Sequence, residues 1–174
     1  MTTWRKKTAV LAVASALAGA GFIAATAPAN AAAVRACTSR DLRIAHTIPQ
    51  GAAGHGAFVL LFKNISGSTC TLYGYPGLDA LNGSGHVLAH ATRTLRGNMG
   101  GAHAVRTITV RPGHYASATS EWLNFNPVTA GACTFSKYVK TTPANTTRTV
   151  QLTVSVSICR LQIHPTVAGT SGNG

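Results

Sequence analysis

Val150-Gln-Leu-Thr-Val-Ser-Val-Ser-Ile158 decides the fold. Val150, Leu152, Val154, Val156 and Ile158 alternate with Gln151, Thr153, Ser155 and Ser157. A strand places successive side chains on opposite faces, so this pattern predicts one buried and one wet face. The apolar phase then slips by one, because Leu161 and Ile163 are odd-numbered. A period of two cannot absorb that slip, which predicts a bulge or short turn around 157–160.

Working outward, Ala57-Phe-Val-Leu-Leu-Phe62 is a continuous apolar run bounded by Gly56 and by Asn64-Ile-Ser-Gly67. Its length and boundaries favour a buried strand over a helix. Shorter strands are expected at 42–45, 69–73, 78–81, 86–89, 104–110, 114–122 and 133–139. Within them Cys70 and Leu72 share a face, and Ala116, Ala118, Ser120 and Trp122 share another. Asn82-Gly-Ser-Gly85 reads as a hairpin turn. Tyr75-Pro76-Gly77 reads as a type II turn with the glycine at positive φ, and Pro112-Gly113 as a turn. Pro49–Gly56 and Thr92–Gly101 read as loops, and the tail from Gly169 as loose.

No helical periodicity appears beyond residue 31. Short strands between Gly, Pro and Asn turns imply two packed antiparallel sheets, because one sheet cannot hide its own apolar face. The expected fold is all-β, an immunoglobulin-like antiparallel β-sandwich, with a partly closed barrel as the second choice.

The start of the chain has a different character. Arg5, Lys6 and Lys7 precede an apolar stretch from Ala9 to about Ala25, and Ala29-Asn30-Ala31 follows Pro28. A basic head, an apolar middle and small residues at −3 and −1 form a secretory signal pattern. Residues 1–31 are therefore expected to be cleaved, leaving no transmembrane anchor. Residues 32–36 read as a short leader, 37–165 as one domain and 166–174 as a flexible tail. Cys37 stands too far beyond the apolar segment, with Arg35 just upstream, to fit a lipidation site.

All four cysteines, Cys37, Cys70, Cys133 and Cys159, lie beyond that segment. An even count in an oxidising compartment implies two disulfides. Four cysteines allow three pairings; Cys37–Cys70 with Cys133–Cys159 is preferred because each joins sequence neighbours. No CxxC pair or zinc-like cluster occurs.

Fifteen Lys and Arg stand against three acids, Asp41, Asp79 and Glu121, for a formal charge of +12. Such an excess draws anions by long-range attraction. It is not gathered into a basic helix or an aromatic-basic strand motif, so no specific nucleic-acid site is expected. The three acids sit in separate segments, which gives no basis for a paired-carboxylate mechanism. No GxSxG elbow is present. His55, His86, His90, His103 and His114 read as scattered surface histidines. No cofactor and no metal site are expected.

The segment Lys63-Asn-Ile-Ser-Gly-Ser-Thr-Cys-Thr-Leu-Tyr-Gly-Tyr-Pro-Gly77, with Cys37, Ala53-Gly54-His55, Arg111-Pro112-Gly113, Cys133, Cys159 and Leu161, carries a resemblance. Over residues 37–165 the chain resembles an actinobacterial secreted family, the DUF4232 domain of unknown function. The resemblance implies an exported or lipid-anchored, disulfide-bearing β-sandwich, and no activity. It implies structural duties for Asn64, capping the backbone at a strand end, and for Cys70, fastening its strand to the amino-terminal edge. The Asn64 and Asn145 sequons are then incidental.

The functional expectation is a non-enzymatic module outside the cytoplasm whose partner is an anionic cell-envelope polymer or a secreted protein. Arg93, Arg96 and His103 are its candidate contacts. A secreted protease inhibitor and a small extracytoplasmic hydrolase are the alternatives. Mass spectrometry of the protein exported by a secreting bacterium is expected to find the mature chain starting at Ala32, within two residues. An intact Met1 in the exported fraction would refute the signal reading.

Overall fold

The computed structural model describes Met1 and residues 33–174. The proposed signal segment and its cleavage point lie outside the described residues. From Ala33 onward the chain forms one compact unit.

Twelve strands follow one another along this unit: β1 (Leu42–His46), β2 (Gln50–Ala52), β3 (His55–Asn64), β4 (Cys70–Tyr73), β5 (Gly77–Leu81), β6 (Val87–His90), β7 (Thr92–Arg93), β8 (Thr107–Val110), β9 (Tyr115–Leu123), β10 (Thr134–Thr142), β11 (Val150–Ile163) and β12 (Val167–Ala168). The main sheet runs β1-β3-β9-β11-β10-β5-β6, with β2, β7 and β12 on its flanks, and β4 and β8 form a separate ribbon. Every strand pairing is antiparallel except β7 with β11. The described residues are all-β and sandwich-like. The immunoglobulin-like detail of the expectation rests on the sequence pattern alone.

Strand β11 explains the phase slip. Its first part pairs with β10, from Val150 opposite Thr141 to Ile158 opposite Thr134. Its second part pairs with β9, with Cys159 opposite Leu123 and Gln162 opposite Glu121. Arg160 and Leu161 together face the single residue Trp122, which is a β-bulge. Before the bulge the even residues Val154 and Ile158 are buried; after it the odd residues Leu161 and Ile163 are. One strand thereby presents apolar side chains to the core from both of its halves.

The core gathers Leu42, Phe58, Leu60, Phe62, Leu72, Val110, Val139 and Ile163 with the central Ala116 and Ala118. Phe58, Leu60 and Phe62 are each at most 1% exposed, and burying such side chains contributes about 1.5–3 kcal/mol apiece. The two disulfides are the preferred ones, Cys37–Cys70 and Cys133–Cys159. Cys133 and Cys159 extend the β10–β11 ladder by one step beyond Thr134 and Ile158, where the strands part. Cys37 joins a short parallel bridge, in which the Cys37 amide donates to the Thr71 carbonyl and the Thr71 amide to the Arg35 carbonyl. Each bridge adds about 2–4 kcal/mol, in large part by restricting the unfolded chain.

Asn64 performs the duty the resemblance implies. It is fully buried at the end of β3. Its Nδ2 donates to the carbonyls of Ser68 and Val110, both at 2.9 Å, and its Oδ1 accepts from the Ser66 amide. It therefore ties β3 to the turn before β4 and to the end of β8. Its amide nitrogen is committed inside the fold, so that sequon has no exposed acceptor.

Several local expectations require correction. Pro49–Gly56 is not a loop. Gln50–Ala52 returns on β3, and the hairpin turns in two residues, Ala53 and Gly54, both at positive φ. Thr92–Gly101 likewise contains β7, whose pairing reaches Ile163. The strand foreseen at 104–110 begins only at Thr107. Positive φ falls on Gly74 rather than Gly77, because Gly77 already belongs to the ladder opposite Thr142. The Pro112-Gly113 turn is as read, with the His114 amide donating to the Arg111 carbonyl and Gly113 at φ 77°.

The tail is also tied down rather than free. β12 pairs with β9, the Gly172 amide donates to Ser117 Oγ, and the Thr119 hydroxyl donates to the Gly172 carbonyl. Short polar side chains on β9 supply these partners, which sequence alternation alone does not announce.

Ala53 sits at φ 47°, where a β-carbon is strained and where two-residue hairpin turns favour Asn. Ala53→Asn is expected to stabilise the fold by about 1 kcal/mol, read as a higher denaturation midpoint at unchanged slope. A lower midpoint would contradict the turn geometry.

Candidate functional site

Strand β9 is buried on both faces. Its even residues reach the apolar core. Its odd residues Ser117, Thr119 and Glu121 are polar yet also buried. Two segments cover that polar stripe, the carboxyl-terminal tail over Ser117 and Thr119 and a strap spanning 92–104 over Glu121.

Glu121 is the centre of this arrangement at 2% exposure. Its Oε2 accepts from the backbone amides of Asn98 and Met99 at 2.9 and 3.0 Å. Its Oε1 faces His164 Nε2 at 3.5 Å, and neither atom has another partner. His164, 0% exposed, uses its other nitrogen, Nδ1–H, to donate to the Ala102 carbonyl at 3.2 Å. That bond leaves Nε2 to carry the proton that an imidazolium directs at the carboxylate.

Burial by itself pushes both groups toward neutrality. For Glu121 the His164 ring and the Met99 and Asn98 amides outweigh it, and the carboxyl lies below its ordinary value. For His164 the carboxylate and the Ala102 carbonyl outweigh burial, and the ring lies above its ordinary value. The pair is thus held ionised. Gly97 seals it: a β-carbon there would stand 2.6 Å from both Glu121 Oε1 and His164 Nε2. Only a residue without a side chain lets the strap pass this close.

A carboxylate beside a histidine is what hydrolysis would need; here both groups are buried. Glu121 and His164 lock the strap to β9 and β11. The other two acids are also engaged. Asp41 takes a two-pronged contact from Arg35 at 2.7 and 2.9 Å and a further bond from the Thr38 amide. The Arg35 guanidinium, with that amide, holds its carboxyl well below the usual range. Asp79 Oδ1 meets His90 Nδ1 at 2.7 Å across the β5–β6 pair, on the surface. Every acidic side chain is therefore matched within the fold.

The candidate contacts Arg93, Arg96 and His103 all lie exposed on or beside the strap. The Arg93 guanidinium rests over the Tyr75 ring at 5.6 Å. Thr94 Oγ1 accepts from the Arg96 amide at 2.9 Å. His103 donates from Nδ1 to the Leu95 carbonyl at 3.0 Å and borders a cavity of about 340 Å³ with Arg106, Ile108 and Thr166. The three share one segment without converging on a single cavity. Among the described residues, no group of three His, Cys, Asp or Glu side chains is placed to hold a metal ion. No described helix is long and apolar enough to cross a membrane.

Residues 37–173 match the family model for a domain of unknown function, DUF4232. The chain belongs to the DUF4232 family. Comparison with curated proteins and with solved structures finds no match. The match runs past residue 165 and takes in the tail that this DUF4232 domain pins to β9.

His164 and its partnership with Glu121 are not among the residues singled out from the sequence. The available signal was local. Glu121 is an isolated acid in a strand whose neighbours are all small or apolar, and His164 follows directly on Leu161 and Ile163 at the end of β11.

The pair makes stability depend on pH with a defined sign. The raised His164 value adds stability that is complete below 6.5, its unfolded value, and is lost as pH rises through the higher folded value. The lowered Glu121 value adds stability that is complete above 4.5 and is lost as pH falls through the lower folded value. The pair of this DUF4232 domain therefore contributes fully between pH 4.5 and 6.5. Glu121→Gln is expected to cost about 3–5 kcal/mol near pH 6 and to flatten the decline on the alkaline side, measured as melting temperature against pH. An unchanged pH profile in that variant would show that the two groups are not coupled.

Proposed function

We propose that this domain works outside the cytoplasm as a non-enzymatic binding module whose unmatched basic surface takes an anionic cell-envelope polymer. One observation carries the reading. All three acids of the chain are spent on internal partners, Asp41 on Arg35, Asp79 on His90 and Glu121 on His164. Among the described residues, the other Arg and Lys side chains, Arg93 and Arg96 included, form no ion pair with an acid. A surface of one sign concentrates counter-charged polymers and accelerates encounter.

Two disulfides suit an oxidising compartment, and the signal-like segment at residues 1–31 gives a route there. The strap is the preferred contact element. It bears Arg93, Arg96 and His103 together on a backbone that Glu121 and β11 hold against the sheet. Arg93, seated on Tyr75, is held in place more firmly than a free arginine.

The test is co-sedimentation of the purified domain with bacterial cell walls that either retain or have been stripped of their anionic polymers. Binding is expected only to the unstripped walls, to weaken steadily with added salt, and to fall severalfold in the Arg93→Gln/Arg96→Gln double variant. Equal binding to both wall preparations, or insensitivity to salt, would sink the reading.

A further inference from the structure

The bulge in β11 places Arg160 in the left-handed region at φ 47°. Arginine gains nothing from that conformation, which glycine adopts freely. Backbone strain of this kind is found most often at functional sites. The consequence of the bulge is directional. Leu161 turns into the core, and Arg160 is left exposed at the rim of a cavity of about 230 Å³.

That cavity is lined by His55, Asn98, Trp122, Leu123, Arg160 and Gln162. Three strands and the strap converge there: His55 opens β3 opposite Leu123 of β9, and Leu123 lies opposite Cys159 of β11. Asn98 is brought in by its own backbone, whose amide donates to buried Glu121. Four polar residues therefore border this one space, His55, Asn98, Arg160 and Gln162. No hydrogen bond of any of these four side chains to another protein group is present among the described residues. No acid lines the space, and the nearest carboxylate, Glu121, is already occupied by two amides and an imidazole.

We propose that this cavity is a binding site for a phosphate group, clasped by the Arg160 guanidinium and hydrogen-bonded by His55, Asn98 and Gln162. A guanidinium offers a paired set of N–H donors that suits a phosphate, and the two amides and the ring supply donors from other directions. A planar carboxylate would leave part of that donor set unused. The volume admits a single charged group with its nearest substituent, so the ligand is free phosphate or the phosphomonoester end of a larger molecule.

The site differs from the Arg93–Arg96 surface and does not require the polymer reading. Inorganic phosphate and glycerol phosphate would each be titrated into the domain by calorimetry, with acetate as the planar control. Saturable binding of phosphate, with acetate much weaker, is expected. Arg160→Gly removes the guanidinium and relieves the backbone, so its melting temperature should not fall while phosphate affinity drops about tenfold or more. Gln162→Leu should weaken binding by a smaller factor, and Arg93→Gln/Arg96→Gln should leave it unchanged. Tighter binding of glycerol phosphate points to a polymer or metabolite end and tighter binding of inorganic phosphate to the free ion; both uphold the site. Absence of saturation, or full affinity in a folded Arg160→Gly variant, overturns it. Loss of phosphate binding with wall binding intact would remove this site alone, and the converse result would remove the polymer reading alone.

Discussion

A strand of strict two-residue period can feed only one apolar row to one side, and β11 must serve two. The whole architecture depends on the bulge at Arg160–Leu161 that resets its phase. With it, Val154 and Ile158 face the core from the β10 side and Leu161 and Ile163 from the β9 side. Without it, Leu161 and Ile163 would swing to the wet face and two buried apolar side chains would be lost. The Cys133–Cys159 bridge stands immediately before the bulge and fixes where the strand leaves one partner for the next.

The second organising fact is the polar stripe on β9. Irregular backbone cannot be buried unless its amides and carbonyls find partners. Ser117, Thr119 and Glu121 provide them, and so allow the tail and the strap to lie flat on a central strand. Glu121 could not be buried alone; the imidazole of His164 and two backbone amides make it tolerable. The same economy of acids shapes the exterior. With each carboxylate turned inward or paired locally, the described basic side chains other than Arg35 are left without an acidic partner.

Much of this was legible from residue order. The alternation at 150–158 and its slip announced β11 and its irregularity. The apolar run at 57–62 announced β3, and cysteine spacing led to the two bridges. Asn64 was readable as a strand-end cap through its Ile-Ser-Gly context and the family resemblance. What escaped was of another physical kind. Ala53 gives no sign of positive φ, so the β2–β3 hairpin looked like a loop. β7 is two residues long and polar, and carries no period. Glu121 and His164 lie more than forty residues apart, and only the β9–β11 pairing brings them together. Arg160 looked like one basic residue among many until the bulge gave it a direction.

Because β11 belongs to both halves of the sheet, neither half has a complete set of edges without it. Melting one half strips the other of its neighbour, so the two should come apart together rather than as separate blocks. The strap stands outside that partnership. It rests on a few side-chain anchors and a two-residue pairing, and can lift away while the strands stay closed. Amide exchange should therefore divide the molecule into a slow interior that opens only in full and a quick outer band around the glycines at 97–101.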